Sequence, residues 1–147
     1  MQSLSSGGIA NSLVVKGKIG KHRLLVLIDT GSTHTFLHEK KAMELKCELL
    51  PATPLRVKLA DGTILHSNRL CKAFTWTMAG HQFVHDVRVL KLGSHDLVLG
   101  LDWLRTVSPV KFDFINLQLF FDLQGQEVVL TGAEDVGDCK AITGKGL

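Results

Sequence analysis

A chain of 147 residues, 45% hydrophobic and 21% charged, is one domain's worth of globular protein and can bury a core without disulfides or a structural metal; this balance excludes a disordered tail. The net charge of +3 comes without any run of Lys and Arg, so nothing here makes an electrostatic footprint for nucleic acid, and no apolar run reaches transmembrane length. Cys47, Cys71 and Cys139 are odd in number and widely spaced, which argues against a secreted disulfide framework and for a reducing compartment, so the expectation is a cytoplasmic protein with neither nucleic-acid nor membrane partners.

Residues 1–12 are rich in Ser and Gly and read as a flexible linker, without the basic-then-apolar order of a signal peptide. Leu13 to Val15, a turn region with Gly17 and Gly20, and the run from Leu24 to Ile28 predict two strands in a hairpin. The second strand is five apolar residues long, which reads as burial on both faces, and it runs straight into Asp29. A carboxylate at the end of a buried strand sits where desolvation and neighbouring charge shift its pKa, which makes Asp29 a candidate catalyst. Thr30 offers a hydroxyl to anchor the turn, Gly31 permits backbone angles closed to other residues, and Ser32 sets a second hydroxyl within local reach of the Asp29 carboxylate. An ordinary strand ending in an Asp-initiated turn accounts for the same four residues.

The composition of 38–47 predicts a short helix, and Pro51 and Pro54 then open an extended segment. Leu55, Val57 and Leu59 alternate with Arg56 and Lys58 up to Asp61-Gly62, a two-residue hairpin turn that would set Leu59 opposite Ile64. Phe74, Trp76 and Met78 alternate with threonines, Ala79-Gly80 turns the chain, and Phe83, Val87 and Val89 return, making Trp76 and Phe83 cross-strand core neighbours. Leu97 to Leu99 is a further buried strand, Gly100 allows close backbone approach, and Asp102 is placed to cap a short helix through Trp103 and Leu104. Residues 110–121 and 127–130 are strand-like with turn signals at Asn116 and Gly125, and 133–147 read as a second linker, leaving a domain at 13–132. Many short strands with one or two short helices predict an all-β, closed barrel-like domain.

Other chemistries find little support. His34 with His38, and His81 with His85, show i, i+4 spacing but lack the glutamate of a zinc protease, and no Cys/His set completes a tetrahedral site. Neither a metal nor another cofactor is expected. There is no Gly-x-Ser-x-Gly elbow and no glycine-rich phosphate loop.

Leu24 to Phe36 resembles the active-site segment of aspartic proteases, in which two apolar residues precede Asp-Thr-Gly-Ser. Val57 to Thr63 is similar to a flap hairpin, and Asp96 to Leu104 is similar to the apolar-apolar-Gly element that completes that fold. In order and spacing, the stretch from Lys16 to Gly132 resembles the retropepsin-like protease domain of gypsy-type LTR retrotransposon Gag-Pol polyproteins. The resemblance implies an aspartic endopeptidase with Asp29, Thr30 and Gly31 in catalysis and Ser32, Ala60, Asp61, Gly62 and Thr63 at the bound peptide. Thr30 would cross-brace paired loops, Gly31 would bind the substrate backbone, Ser32 would tune the acid, and 60–63 would close over the substrate. Because the chemistry needs two carboxylates sharing a proton and the chain holds one Asp-Thr-Gly, it further implies a C2 homodimer. Its substrate would be a retroelement polyprotein, cut in the cytoplasm or within virus-like particles. One departure is Leu101, which stands where the retroviral pattern often has an arginine paired with an acid near the site. A domain of this fold kept as a dimerisation or peptide-binding module after losing catalysis is the competing reading; the intact Asp29, Gly31 and Asp61-Gly62 favour the peptidase.

Overall fold

The hairpin that ends on Asp29 sets the frame. Strand β2 (Ser12–Ile19) pairs antiparallel with β3 (His22–Asp29) in unbroken register, from Ser12 opposite Asp29 to Ile19 opposite His22, around a turn in which Gly20 takes φ +55°. Side chains alternate along β3: Leu24, Val26 and Ile28 point into the core, each nearly inaccessible to solvent, while Leu25 and Leu27 lie on the opposite face, which Asp29 shares.

The computed structural model describes residues 2–4, 12–59 and 61–133. Its other elements are β1 (Gln2–Leu4), β4 (Phe36–His38), α1 (Glu39–Glu44), β5 (Leu50–Leu59), β6 (Ile64–Met78), β7 (His81–Leu90), β8 (Leu97–Leu99), α2 (Leu101–Val107), β9 (Val110–Asp113), β10 (Gln118–Leu123) and β11 (Gln126–Thr131). Eight strands form one sheet in the order β1-β5-β6-β2-β3-β8-β4-β7, and β9 to β11 form a separate antiparallel sheet of three. Of the expected linkers, residues 1, 5–11 and 134–147 lie outside the described residues.

A mostly β fold with two short helices is what forms, but the expected closed barrel is not. The 15-residue β6 is long enough to serve three partners, β5 along its first half, β7 along its second and β2 at its last two residues, and the β6–β7 pairing bends the sheet back on itself. That return leaves β5 and β1 outside it, with β1 at an edge, and the C-terminal strands pair among themselves, so the sheet does not close into a barrel. Alternation in a sequence reports faces, and it is silent on which strand a long partner is shared with.

Two apolar clusters hold these layers. The larger one contains a chain of aromatic rings, Phe74, Trp76, Phe83, Trp103 and Phe121, with successive centroids 5.8 to 5.9 Å apart. Trp76 lies directly opposite Phe83, as the alternation predicts. Truncating one of these rings to Ala would cost about 3–5 kcal/mol. The smaller cluster, Phe36, Val57, Leu90, Leu92 and Val98, receives Leu27 from β3 and Leu55, Leu59 and Leu65 from the β5–β6 hairpin.

Two local expectations are corrected. In the β5–β6 hairpin, Lys58 and not Leu59 lies opposite Ile64, because Leu59 N–H donates to the Thr63 carbonyl at 2.8 Å and Gly62 N–H to the Leu59 carbonyl at 3.0 Å, which lengthens the turn by a residue. A one-residue slip exchanges faces, so Val57 with Leu65 faces inward and Ile64 is exposed. At α2 the N-cap residue is Gly100 and not Asp102, which sits inside the first turn; there its Oδ1 accepts the Trp103 N–H at 2.7 Å while also accepting from the Thr35 hydroxyl.

Candidate active site

Burial of Asp29 follows from where β3 ends. Its backbone is paired to Ser12 on one side, β8 runs parallel on the other with Ile28 opposite Leu99, and the Asp29 side chain has no solvent exposure. The carboxylate oxygen Oδ1 accepts the Gly31 N–H at 2.8 Å, and the Asp29 carbonyl accepts the Ser32 N–H at 3.1 Å. These two bonds close a tight turn about the acid. Thr30 is half-buried and Gly31 exposed at its lip.

Ser32 is fully buried, and its hydroxyl donates to the His34 carbonyl at 2.7 Å. A hydroxyl has one proton to give, so the expected donation from Ser32 to Asp29 is replaced by a bond that shapes the loop. His34 is half-buried, with Nδ1 3.0 Å from the Thr33 hydroxyl. Burial lowers its pKa, Asp102 opposes that, and the Arg88 charge adds to it, which keeps the ring neutral at neutral pH.

A distant segment locks this loop. Leu101 N–H donates to the Ser32 carbonyl at 2.8 Å, and Gly100 N–H to the Thr35 hydroxyl oxygen at 3.1 Å. The Thr35 hydroxyl in turn donates to Asp102 Oδ1 at 2.6 Å, while Thr35 N–H reaches Asp102 Oδ2 at 3.2 Å. A Cβ at Gly100 would overlap the carbonyl oxygens of Ser32 and His34, so only glycine fits. Leu101, at the position of the arginine in the retroviral pattern, packs against the main core. Nearby, Asp96 ties three strands: its Oδ2 accepts Leu25 N–H at 2.8 Å, its N–H donates to the Leu25 carbonyl at 2.9 Å, and its carbonyl accepts His38 N–H at 2.8 Å. Thr35, Asp96 and Asp102 are the positioning residues that reading the sequence missed. The only local signals were a threonine just before Phe36-Leu37 and an aspartate two residues past a glycine.

The turn at 61–63 is exposed, with Asp61 Oδ1 accepting Thr63 N–H at 2.9 Å. Bonds from the Thr63 backbone and side chain hold the Asp61 carboxyl below its usual range. Ala60 lies outside the described residues. Through Leu55, Val57, Leu59 and Leu65 the hairpin packs on the cluster that includes Leu27, so it covers the face of β3 on which Asp29 stands. No group of three or more His, Cys, Asp or Glu suited to a metal ion occurs among the described residues, and no helix among them is long and apolar enough to cross a membrane.

Residues 25–124 match the family described as the PEG10/RTL1 protease domain. Among solved structures, the chain is similar to the retroviral protease-like domain of Ddi1 from Leishmania major, with a TM-score of 0.62 at 15% identity over 85% of this chain and 96% of that one. It is also similar to the EIAV protease complexed with the inhibitor HBY-793, with a TM-score of 0.52 at 18% identity over 69% of this chain and 92% of that one. None of the curated proteins matches. At such identities the structural likenesses carry the fold alone.

Proposed function

The chain belongs to the PEG10/RTL1 protease domain family, and from that premise we propose that it is an aspartic endopeptidase, active as a C2 homodimer on a retroelement polyprotein. The observation that carries this reading is Asp29, buried at a strand end with a backbone N–H aimed at Oδ1 and a loop braced from 67 residues away. A carboxylate held so rigidly needs no reorganisation when charge moves, which suits proton transfer. With one Asp-Thr-Gly per chain, the second carboxylate comes from another copy.

Two carboxylates sharing a site cannot both ionise cheaply, so one proton is held between them. The ionised Asp29 takes a proton from water as the water attacks the scissile carbonyl carbon. The partner's Asp29, protonated, donates to the carbonyl oxygen as it gains charge. Proton return to the leaving nitrogen then frees the two peptide ends. Thr30 braces the paired loops, and Gly31, at the exposed lip, bonds the substrate backbone. Ser32 acts through the loop shape it fixes, and 60–63 close over the peptide. Apolar substrate side chains enter beside Leu27, Leu59 and Leu65, the partly exposed residues of the wall between β3 and the hairpin. The working domain is 13–132, acting in the cytoplasm or in virus-like particles.

The test pairs sedimentation with hydrolysis of a Gag-like precursor by wild type and Asp29→Asn. The swap keeps size and most hydrogen bonding, so circular dichroism should stay unchanged while turnover falls about a thousandfold or more. Wild-type specific activity should fall on dilution as the dimer dissociates. Cleavage by the variant at near wild-type rate, or full activity from a monomer, overturns the proposal; a dimer that binds the precursor without cutting it shows a domain retained for binding.

A further inference from the structure

The Asp29 site leaves unused a pair of thiols at the other end of the β2–β3 hairpin. Cys47 follows α1, where its N–H donates to the Ala42 carbonyl at 3.0 Å, and Cys71 lies in β6 with 7% exposure. The β5–β6 ladder begins with Leu50 opposite Leu70. Cys71 follows Leu70 in β6, and Cys47 stands three residues before Leu50, in the segment that leads from α1 into β5. Both thiols line one cavity of about 610 Å³ together with His22, Leu45 and Phe74, and their side chains hydrogen-bond to each other. His22 begins β3 and Asp29 ends it, a span of about 23 Å at strand rise, so this cavity is separate from the acid site.

We propose that Cys47 and Cys71 form a modification site for two-electron oxidants of the peroxide class, closing to a disulfide that fastens the base of the β5–β6 hairpin. Cys47 is the half-exposed member and meets the oxidant first. Its sulfur attacks the peroxide, an S–O bond forms as O–O breaks, and the first water leaves. The Cys71 sulfur then attacks the Cys47 sulfur, S–S forms as S–O breaks, and the departing hydroxide takes the Cys71 proton as a second water. Two thiols lose two electrons and two protons, and the peroxide is reduced to water. Burial raises the Cys47 thiol above its ordinary range and, with the nearby Cys47 adding to it, pushes Cys71 up to about 12. Thiolate is therefore scarce at neutral pH, which makes closure slow there and faster as pH rises. The bond would enclose β5, the Asp61-Gly62 turn and the start of β6 within one covalent loop, restraining a segment that the acid site does not hold.

The test uses the full chain carrying Cys139→Ser, so that the third cysteine takes no part. Hydrogen peroxide at about pH 7 and about pH 9 should give a monomer lighter by two hydrogens, a cross-linked peptide containing both Cys47 and Cys71, faster closure at the higher pH, and a Tm raised by several degrees that dithiothreitol reverses. Cys47→Ser, at the half-exposed position where folding is least disturbed, should abolish all of these. Oxidation of Cys47 to the sulfinic acid with Cys71 left as a thiol, cross-linking only between chains, or an unchanged Tm after complete closure overturns the proposal.

Discussion

The loop at 29–31 and the turn at 61–63 are built from the same three residue types and make the same local bond. In each, an aspartate Oδ1 accepts a backbone N–H two residues on, from Gly31 at 2.8 Å and from Thr63 at 2.9 Å. What differs is everything beyond the tripeptide. Asp29 is sealed from solvent and its loop is bonded to Gly100, Leu101 and Asp102, while the turn at Asp61 stands exposed and is held by bonds among 59–63. The local code specifies a turn; the tertiary setting decides whether its carboxylate is buried in a braced loop or stands at an exposed hairpin tip.

Exchanging the glycines of the two regions should separate them most sharply. Gly100→Ala forces a methyl against backbone carbonyls that cannot yield, and should cost about 3 kcal/mol or more by urea unfolding. Turnover is expected to fall with it, since the atoms displaced belong to the Asp29 loop. A next step down is Thr35→Val, of similar shape, which removes the donor to Asp102 and the acceptor for Gly100 N–H. Leaving those groups unpaired should cost about 2 kcal/mol. A double-mutant cycle with Asp102→Asn should then give a coupling energy well above the error; additive losses would mean that the brace does not work as a unit.

At the exposed turn the same kind of change should be mild. Gly62 has φ +93° and open space around it, so Gly62→Ala should lose about 1–2 kcal/mol through backbone strain alone. Because that turn closes on substrate in the proposed mechanism, KM should rise more than kcat falls. Equal losses at Gly62 and Gly100 would erase the distinction between the regions. The smallest effect concerns His34, whose pKa is lowered in the folded chain. Between that lowered value and about 6.5 the unfolded chain binds more protons, so stability should decline as pH falls through this window. Replacing His34 with Gln should flatten that part of a denaturation-versus-pH curve, and an unaltered slope would remove His34 as its cause.

Much of this architecture was legible in the sequence because its strands are apolar runs or alternations bounded by turn residues. The β2–β3 hairpin and the three-residue β8 follow from short continuous apolar runs, and the Ala79-Gly80 turn with Trp76 opposite Phe83 follows from a period-two pattern. The β5–β6 register did not, since Asp61-Gly62 fits a two-residue turn as well as the longer one that the Leu59 and Thr63 bonds select. Nor did the way β6 divides between partners, which depends on long-range pairing. At the site, Asp29 and Gly31 stand out locally, whereas the bond from Thr35 to Asp102 joins positions with no shared pattern. Ser32 shows the limit of proximity as an argument: its hydroxyl is near Asp29 in sequence and spends its proton on His34.

The 67-residue separation between Thr35 and Asp102 also imposes an order in time. A ribosome adds about 5–20 residues per second, so the strand bearing Asp29 leaves it several seconds before the segment that fixes its loop exists. Until Asp102 emerges, the nascent domain carries its acid without the brace. Translation thus supplies an interval in which the Asp29 loop exists before the segment that shapes it has been made.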